Sequence, residues 1–313
     1  MRINKKNQIK ESTKILLSFA ILLIFNQAYS QKNIYNEDLV EFNNVNYNNE
    51  TYQLITMIRD DDKRVRAKYF ACDKYESIKR RYEKFATNHN VICYTSGAYM
   101  DGSLNAKEAG IIGLNVDNGE IVNRSFPDQG GLDALVIVQA TGGVVVSNLK
   151  ENNLKLQGGN AISGHLYKIR QNSRDKDRFL DWAKIVGATV FQTHLLVWKN
   201  KIIISKSNSS TSSRERRFLA IGYDSFGNPV HCIINKPKYE TLYNASKKVF
   251  EFLTLSEGMN VIALCNLDTG AQNVVKLFTP SGRENPVVKC GIKNGSSRYN
   301  LNDSRNLLVY YYH

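Results

Sequence analysis

Asp268 is the residue of this chain best placed to do chemistry. It lies in the run Cys265-Asn266-Leu267-Asp268-Thr269-Gly270-Ala271-Gln272, between an apolar stretch from Val261 to Leu264 and a second from Val274 to Phe278. A carboxylate at a strand end, with a glycine that leaves the backbone open, puts a charge where a ligand can reach it. Such a group can act as a nucleophile or general base. It can equally cap its own turn. Ser96 and Tyr99, just past the apolar run Val91 to Tyr94, could offer hydroxyls, or serve as ordinary turn residues. Gln192 could hydrogen-bond a polar ligand or simply be satisfied within its strand. Arg217 could clamp an oxyanion through its planar fork. Strand alternation also allows it to be an exposed arginine beside Arg214 and Arg216. His194 lies in an apolar strand, where a hydrogen-bonded core or edge histidine is the default. No Ser-His-Asp order, His-Glu-x-x-His, P-loop or dinucleotide fingerprint is present.

These residues need a scaffold, and its pattern is one of short strands joined by tight turns. Strand runs are expected at 52–58, 66–72, 91–94, 111–116, 120–122, 134–139, 143–146, 189–198, 201–205, 218–223, 230–235, 261–264, 274–278 and 307–312. Asp117-Asn118-Gly119, Thr141-Gly142, Lys199-Asn200 and Ser225-Phe226-Gly227-Asn228 supply turn chemistry between neighbouring runs. Helices are expected at 76–85, at 175–186 with Phe179, Trp182, Ala183 and Val186 on one face, and at 241–255 before Gly258. The combination predicts an α+β fold, a largely antiparallel sheet with flanking helices. No internal repeat is visible. The serine-rich stretch Ser205 to Ser213 is the sole candidate break, and strands resume directly after it.

The N-terminus reads as a cleavable signal peptide over residues 1–30. Arg2, Lys5, Lys6, Lys10 and Lys14 precede 11 apolar-region residues from Ile15 to Phe25, and Ala28-Tyr29-Ser30 predicts cleavage after Ser30. The apolar core is shorter than the roughly 20 residues that a membrane span needs. No later run is long enough to cross, so a secreted or periplasmic chain is expected. Residues 31–50 look like an exposed leader, and residues 51–313 like one domain. The first 30 residues carry five basic side chains and Glu11, so the remainder keeps +9 of the total charge of +13. That balance suits anionic substrates, glycans or surfaces, though solvated lysines and arginines give the same number. No zinc-finger, recognition-helix or aromatic RNA-binding pattern appears, which disfavours nucleic acid. Cys72, Cys93, Cys232, Cys265 and Cys290 show no Cys-x-x-Cys spacing. An odd count leaves at least one thiol outside any intrachain bridge, and buried small hydrophobes are the expected role. No metal-ligand pattern stands out, and the sequence names no cofactor.

From Val91 to Phe278 the order of elements resembles the phosphodiester glycosidase family. The run at 266–272 is similar to that family's Asn-Leu-Asp-Gly-Gly-Gly-Ser loop; Asn266, Leu267, Asp268 and Gly270 match, while Thr269, Ala271 and Gln272 depart from it. Ser96-Gly97-Ala98-Tyr99-Met100 stands where the family has an Asn-Gly-Gly-Phe-Phe type motif. Gly110-Ile111-Ile112-Gly113-Leu114 with Asp117-Asn118-Gly119, Gln192 to Val197, Leu219-Ala220-Ile221-Gly222 and Thr241-Leu242 resemble further family segments. The family's arginine column holds Phe218 here, with Arg217 one place earlier. The resemblance implies cleavage of a sugar-1-phosphodiester of a surface glycan or exopolysaccharide. Asp268 would be the catalytic group, and Ser96, Gly97, Tyr99, Gln192, Arg217, Asn266 and Gly270 would bind substrate. It also implies that Cys93 and Cys265 lie near each other. The altered motif positions leave two other readings open. One is an inactive descendant that binds glycan or protein; the other is a structural secreted protein whose basic face holds anionic envelope polymers.

Overall fold

The structure is a computed structural model. It describes residues 35–59, 62, 64–73, 77–100, 110–127, 131–151, 153–156, 164–207, 209, 211–269, 273–285, 301–302 and 304–313. The expected signal peptide, Gly270 and Cys290 lie outside the described residues.

The elements run in the order β1 (Val40–Tyr47), β2 (Glu50–Ile58), β3 (Val65–Ala71), α1 (Lys79–Ala86), β4 (Asn90–Thr95), β5 (Asn115–Asp117), β6 (Glu120–Asn123), β7 (Ala134–Val138), β8 (Val144–Asn148), β9 (Asn153–Leu156), β10 (Gly164–Tyr167), α2 (Ser173–Ile185), β11 (Thr189–Trp198), β12 (Lys201–Ile202), β13 (Arg214–Tyr223), β14 (Pro229–Glu240), α3 (Leu242–Glu251), β15 (Asn260–Leu267), β16 (Val275–Leu277) and β17 (Asn306–Tyr312). The fold is thus mostly antiparallel sheet with few helices. A large sheet carries the order β1-β2-β14-β13-β15-β11-β5-β6, with β7 joining β11 to β8 and β12 pairing with β11. A four-stranded sheet runs β16-β4-β17-β3, and β9 and β10 form a separate hairpin.

Turn chemistry sets much of this topology. Asn48 and Asn49 (φ 49° and 59°), Asn118 and Gly119 (50° and 81°), and Lys199 and Asn200 (50° and 60°) all take the left-handed backbone that two-residue hairpins need. Alternation then distributes the side chains. Leu219 of β13 faces the small sheet, in a core shared with Tyr69, Ile92, Cys93, Leu308 and Tyr310. Phe218 and Ala220 face the other way, against Leu242, Ala245, Val249 and Phe252. Helix α2 covers the neighbouring part of that outer face through Phe179, Leu180 and Ala183. Helix α1 covers the small sheet through Ile78 and Tyr82 beside it. Thr241 caps α3, its hydroxyl accepting from Asn244 N, and a π-helical turn over Phe252–Ser256 ends the segment. Among the described residues no helix is long and apolar enough to cross a membrane.

Several boundaries differ from the sequence reading. Residues 37–47 are not an exposed leader. Glu37–Leu39 form a 3₁₀ turn and β1 pairs along its whole length with β2, while Tyr35, Leu39 and Val40 are buried. Strand β13 begins at Arg214 rather than at 218, and β14 runs on to Glu240. The second strand of the Lys199-Asn200 hairpin stops at Ile202. Cys72, Cys93, Cys232 and Cys265 are buried, and the last three are free thiols. Cys93 and Cys265 share the inter-sheet core, and both border the buried Tyr310 phenol.

The glycine of the Leu219-Ala220-Ile221-Gly222 segment has a packing reason. The β13–β15 register shifts between Ile221 and Gly222, and a Cβ added at Gly222 would sit 2.1 Å from Asn260 O. Backbone cannot yield as a flexible side chain does. Gly222→Ala is therefore expected to destabilise the chain by roughly 1–3 kcal/mol. A denaturant midpoint unchanged from wild type would show that the crossing has slack.

Candidate functional site

At one end of the large sheet, four segments converge around the exit of β15. In register, His194 of β11 and Phe218 of β13 flank Asn266, so these three side chains share the outer face of the sheet. Thr193 Oγ1 donates to Asn266 O, which ties β11 to the same point. Past the strand, Asp268 N donates to Gly97 O at 3.1 Å, and Thr269 Oγ1 donates to Glu215 O at 2.7 Å. The Asp268–Thr269 segment therefore threads between the β4 exit and the start of β13. Tyr99 then folds its ring edge-on against His194, with centroids 4.8 Å apart and planes at 80°.

The polar groups gathered here are incompletely satisfied. Asn266 is 1% exposed, yet neither its Oδ1 nor its Nδ2 has a hydrogen-bond partner. Tyr99 is half-buried, and its buried hydroxyl has no partner. Leaving a buried polar group unpaired costs about 1–3 kcal/mol, so native chains rarely leave two so close together. Asp268 is 3% exposed. Burial, and next the negative charge of Asp268, push the Tyr99 phenol well above its usual range, while Arg216 and Arg214 pull the other way. The phenol thus lies within electrostatic reach of one carboxylate and two guanidinium groups. An amide, a phenol, an imidazole and a carboxylate on one strand-end ledge can bind a polyhydroxylated ligand and set a carboxylate against it. Among the described residues no group of three His, Cys, Asp or Glu side chains is arranged to hold a metal ion.

Four of the expected site residues are used elsewhere. Ser96 Oγ accepts from Val274 N at 2.9 Å and is 1% exposed; it fastens β4 to the segment before β16. Gln192 is fully buried. Its Oε1 accepts from Leu114 N, and its Nε2 donates to Pro127 O and Leu132 O, so it braces the loops beside β5 and β7. Gly97 gives its N–H to Asn306 Oδ1 at 2.8 Å, and a Cβ there would meet Tyr69 Cε2 at 2.8 Å; close packing explains this glycine. Arg217 is neither a clamp nor an exposed neighbour of Arg214. It is fully buried between the two sheets and bonds Thr95, Val274, Asn235 and Asn273. Asn266, Asp268 and Tyr99 are brought together.

The residues that sequence reasoning undervalued are His194 and the pair Arg214 and Arg216. For His194 the available signal was its place in the Gln192 to Val197 segment, two residues after Gln192. For the arginines it was the four-residue run Arg214-Glu215-Arg216-Arg217, too charged for an ordinary strand interior.

A strand-dominated two-sheet protein with a polar ledge at the exit of β15 is the class that the fold and site define. No family profile matches the sequence, and no curated protein matches it. Among solved structures, the chain is similar to the zebrafish N-acetylglucosamine-1-phosphodiester alpha-N-acetylglucosaminidase catalytic domain auto-inhibited by its pro-peptide. That likeness has a TM-score of 0.48 and 14% identity, over 88% of this chain and 82% of that one. A hypothetical protein from Synechocystis matches with a TM-score of 0.42 and 10% identity, over 88% of this chain and 62% of that one. The site is accordingly read from its own residues.

Proposed function

We propose that this chain is a secreted phosphodiester glycosidase-like protein that hydrolyses a sugar-1-phosphodiester of a surface glycan or exopolysaccharide. The observation that carries this reading is the buried Asp268 carboxylate beside the unpaired Asn266 amide and the Tyr99 phenol. In this reaction the bond between the anomeric carbon and the ester oxygen breaks. Water supplies hydroxyl to the anomeric carbon and a proton to the departing phosphate, giving a free sugar and a phosphomonoester. Asp268 would assist at the anomeric carbon as nucleophile, base or stabiliser of developing positive charge. Asn266 and Tyr99 would hold the sugar through the donors and acceptors that the fold leaves open. A phosphate leaving group needs little protonation, so a single carboxylate is compatible with the chemistry. The export reading of residues 1–30 belongs to the same proposal, as does a single domain, which now takes in the paired β1 strand as well.

A second reading is favoured by Thr269. It stands where the resembled loop has a glycine, and its hydroxyl is bonded to Glu215 O. This hydroxyl fills space that a glycine would leave open, as suits a glycan- or protein-binding descendant. Hydrolysis of a panel of sugar-1-phosphodiesters by residues 31–313, beside Asp268→Ala, separates the two. Turnover that disappears in the variant is expected from the enzyme. A folded wild type without turnover on any member would leave the binding role.

A further inference from the structure

We infer that Arg214 and Arg216, astride Glu215, form the subsite for the phosphoryl oxyanion of the ligand; this rests on the function proposed above. The carrying observation is a buried cation with no counter-ion among the described residues. Arg216 is 4% exposed, and its Nε and Nη2 donate to Glu240 O at 3.1 Å and Ser212 O at 2.6 Å. Both acceptors are neutral carbonyls. No described carboxylate lies within ion-pair range of Arg216 or of Arg214. Three other buried cationic side chains have a carboxylate beside them. Arg217 has Glu215 at 3.7 Å, Lys236 has Glu50 at 2.5 Å, and Arg170 has Asp133 at 2.8 Å.

A charge taken from water without a partner is among the costliest features a fold can carry. Like charges flank it instead: Lys236 stands opposite Arg216 in register, and Arg214 is two residues away along β13. Burial holds the Arg216 guanidinium below its ordinary value, with the Tyr99 phenol opposing and Arg214 adding to the effect. The two carbonyl bonds fix the plane of the Arg216 fork and leave its remaining donors free of partners. A fixed guanidinium with a second, exposed one two residues away suits an acceptor-rich, tetrahedral oxyanion. The position is also right. The Thr269–Glu215 bond sets the Asp268 segment against this part of β13, and the Tyr99 phenol is within electrostatic reach of Asp268 and of both arginines. The sugar half of the ligand would meet Asn266 and Asp268, and the phosphoryl half the arginines.

The test is calorimetric titration of residues 31–313 with inorganic phosphate and methyl phosphate, in wild type, Arg216→Gln, Arg214→Gln and the surface control Lys201→Gln. Arg216→Gln is expected to weaken phosphate binding about ten-fold or more, and Arg214→Gln about three-fold. Lys201→Gln should bind like wild type. Circular dichroism verifies folding, and the exposed Arg214 keeps the test decisive if Arg216→Gln fails to fold. Wild type that binds no phosphate, or binding insensitive to either arginine, overturns the subsite. Arginine-dependent phosphate binding without diester turnover keeps the subsite and discards the hydrolase. Diester turnover with KM unchanged in both variants keeps the hydrolase and discards the subsite.

Discussion

Arg217→Met should destabilise the folded chain by about 3–5 kcal/mol, the scale for removing one partner of a buried ion pair. Arg217 is fully buried, and its guanidinium is shared between the sheets. Nη1 donates to Val274 O at 3.1 Å and reaches Thr95 Oγ1 at 3.4 Å, on the small-sheet side. Nη2 donates to Asn273 Oδ1 at 2.6 Å and to Asn235 Oδ1, on β14, at 3.3 Å. Methionine fills similar volume but leaves Glu215, itself 4% exposed, with only the Asn273 amide at 3.0 Å to answer its charge. Lysine would restore the charge but not the planar fork that reaches both sheets at once. Arg217→Lys should therefore recover only part of the loss. Urea unfolding measures both. A loss below about 1 kcal/mol for the methionine variant, the level of a surface ion pair, would mean that the sheets are held by apolar packing alone.

The second large effect is expected from Glu50→Gln, and it has a pH signature. Glu50 opens β2, is 6% exposed, and accepts from Lys236, Lys238 and Lys248. Lys236 is fully buried and also meets Glu240 at 3.1 Å. Burial raises the Glu50 carboxyl, but its hydrogen-bonded lysines outweigh that and hold it at about 2, below its ordinary 4.5. A depressed acid stabilises the fold fully above its unfolded value and loses that contribution as pH falls toward its folded one. Wild type should thus lose a few kcal/mol from this group between about pH 4.5 and 2. Glu50→Gln should be less stable at neutral pH by about 3 kcal/mol and should lack this segment of the acid profile. Subtracting the two profiles isolates Glu50 from the other carboxylates. Parallel profiles would show that the lysines do not depend on it.

Much of the scaffold was legible because its determinants are local. Asn118-Gly119 and Lys199-Asn200 announce hairpins through backbone angles that few residues tolerate, and Thr241 announces the start of α3. Asp268 was legible for the same reason, as a carboxylate just past an apolar strand. What could not be read is where side chains find distant partners. Ser96 is satisfied by Val274, 178 residues away, and Gln192 by Leu132, 60 residues away. The run Arg214-Glu215-Arg216-Arg217 looks like a solvated segment because four charges in a row defeat alternation. Its last three residues are buried, at a register shift of β13 against β14, with Glu215 and Arg217 compensating each other. Residues 37–47 look like a polar leader for a similar reason: an edge strand with one pairing partner needs few apolar residues.

The small sheet also dictates when the molecule can finish folding. β17 lies between β3 and β4, pairing Tyr312 with Val65 on one side and with Asn90 on the other. A nascent chain that has released everything through β16 still presents two unpaired strand edges. Their closure must wait for the loop between distant segments to be drawn in, an entropic toll that grows with contact order. Refolding from denaturant should accordingly be limited by the docking of β17, on a timescale of milliseconds to seconds rather than microseconds. Until that docking, β3 and β4 are the surfaces through which one copy of the chain could capture another.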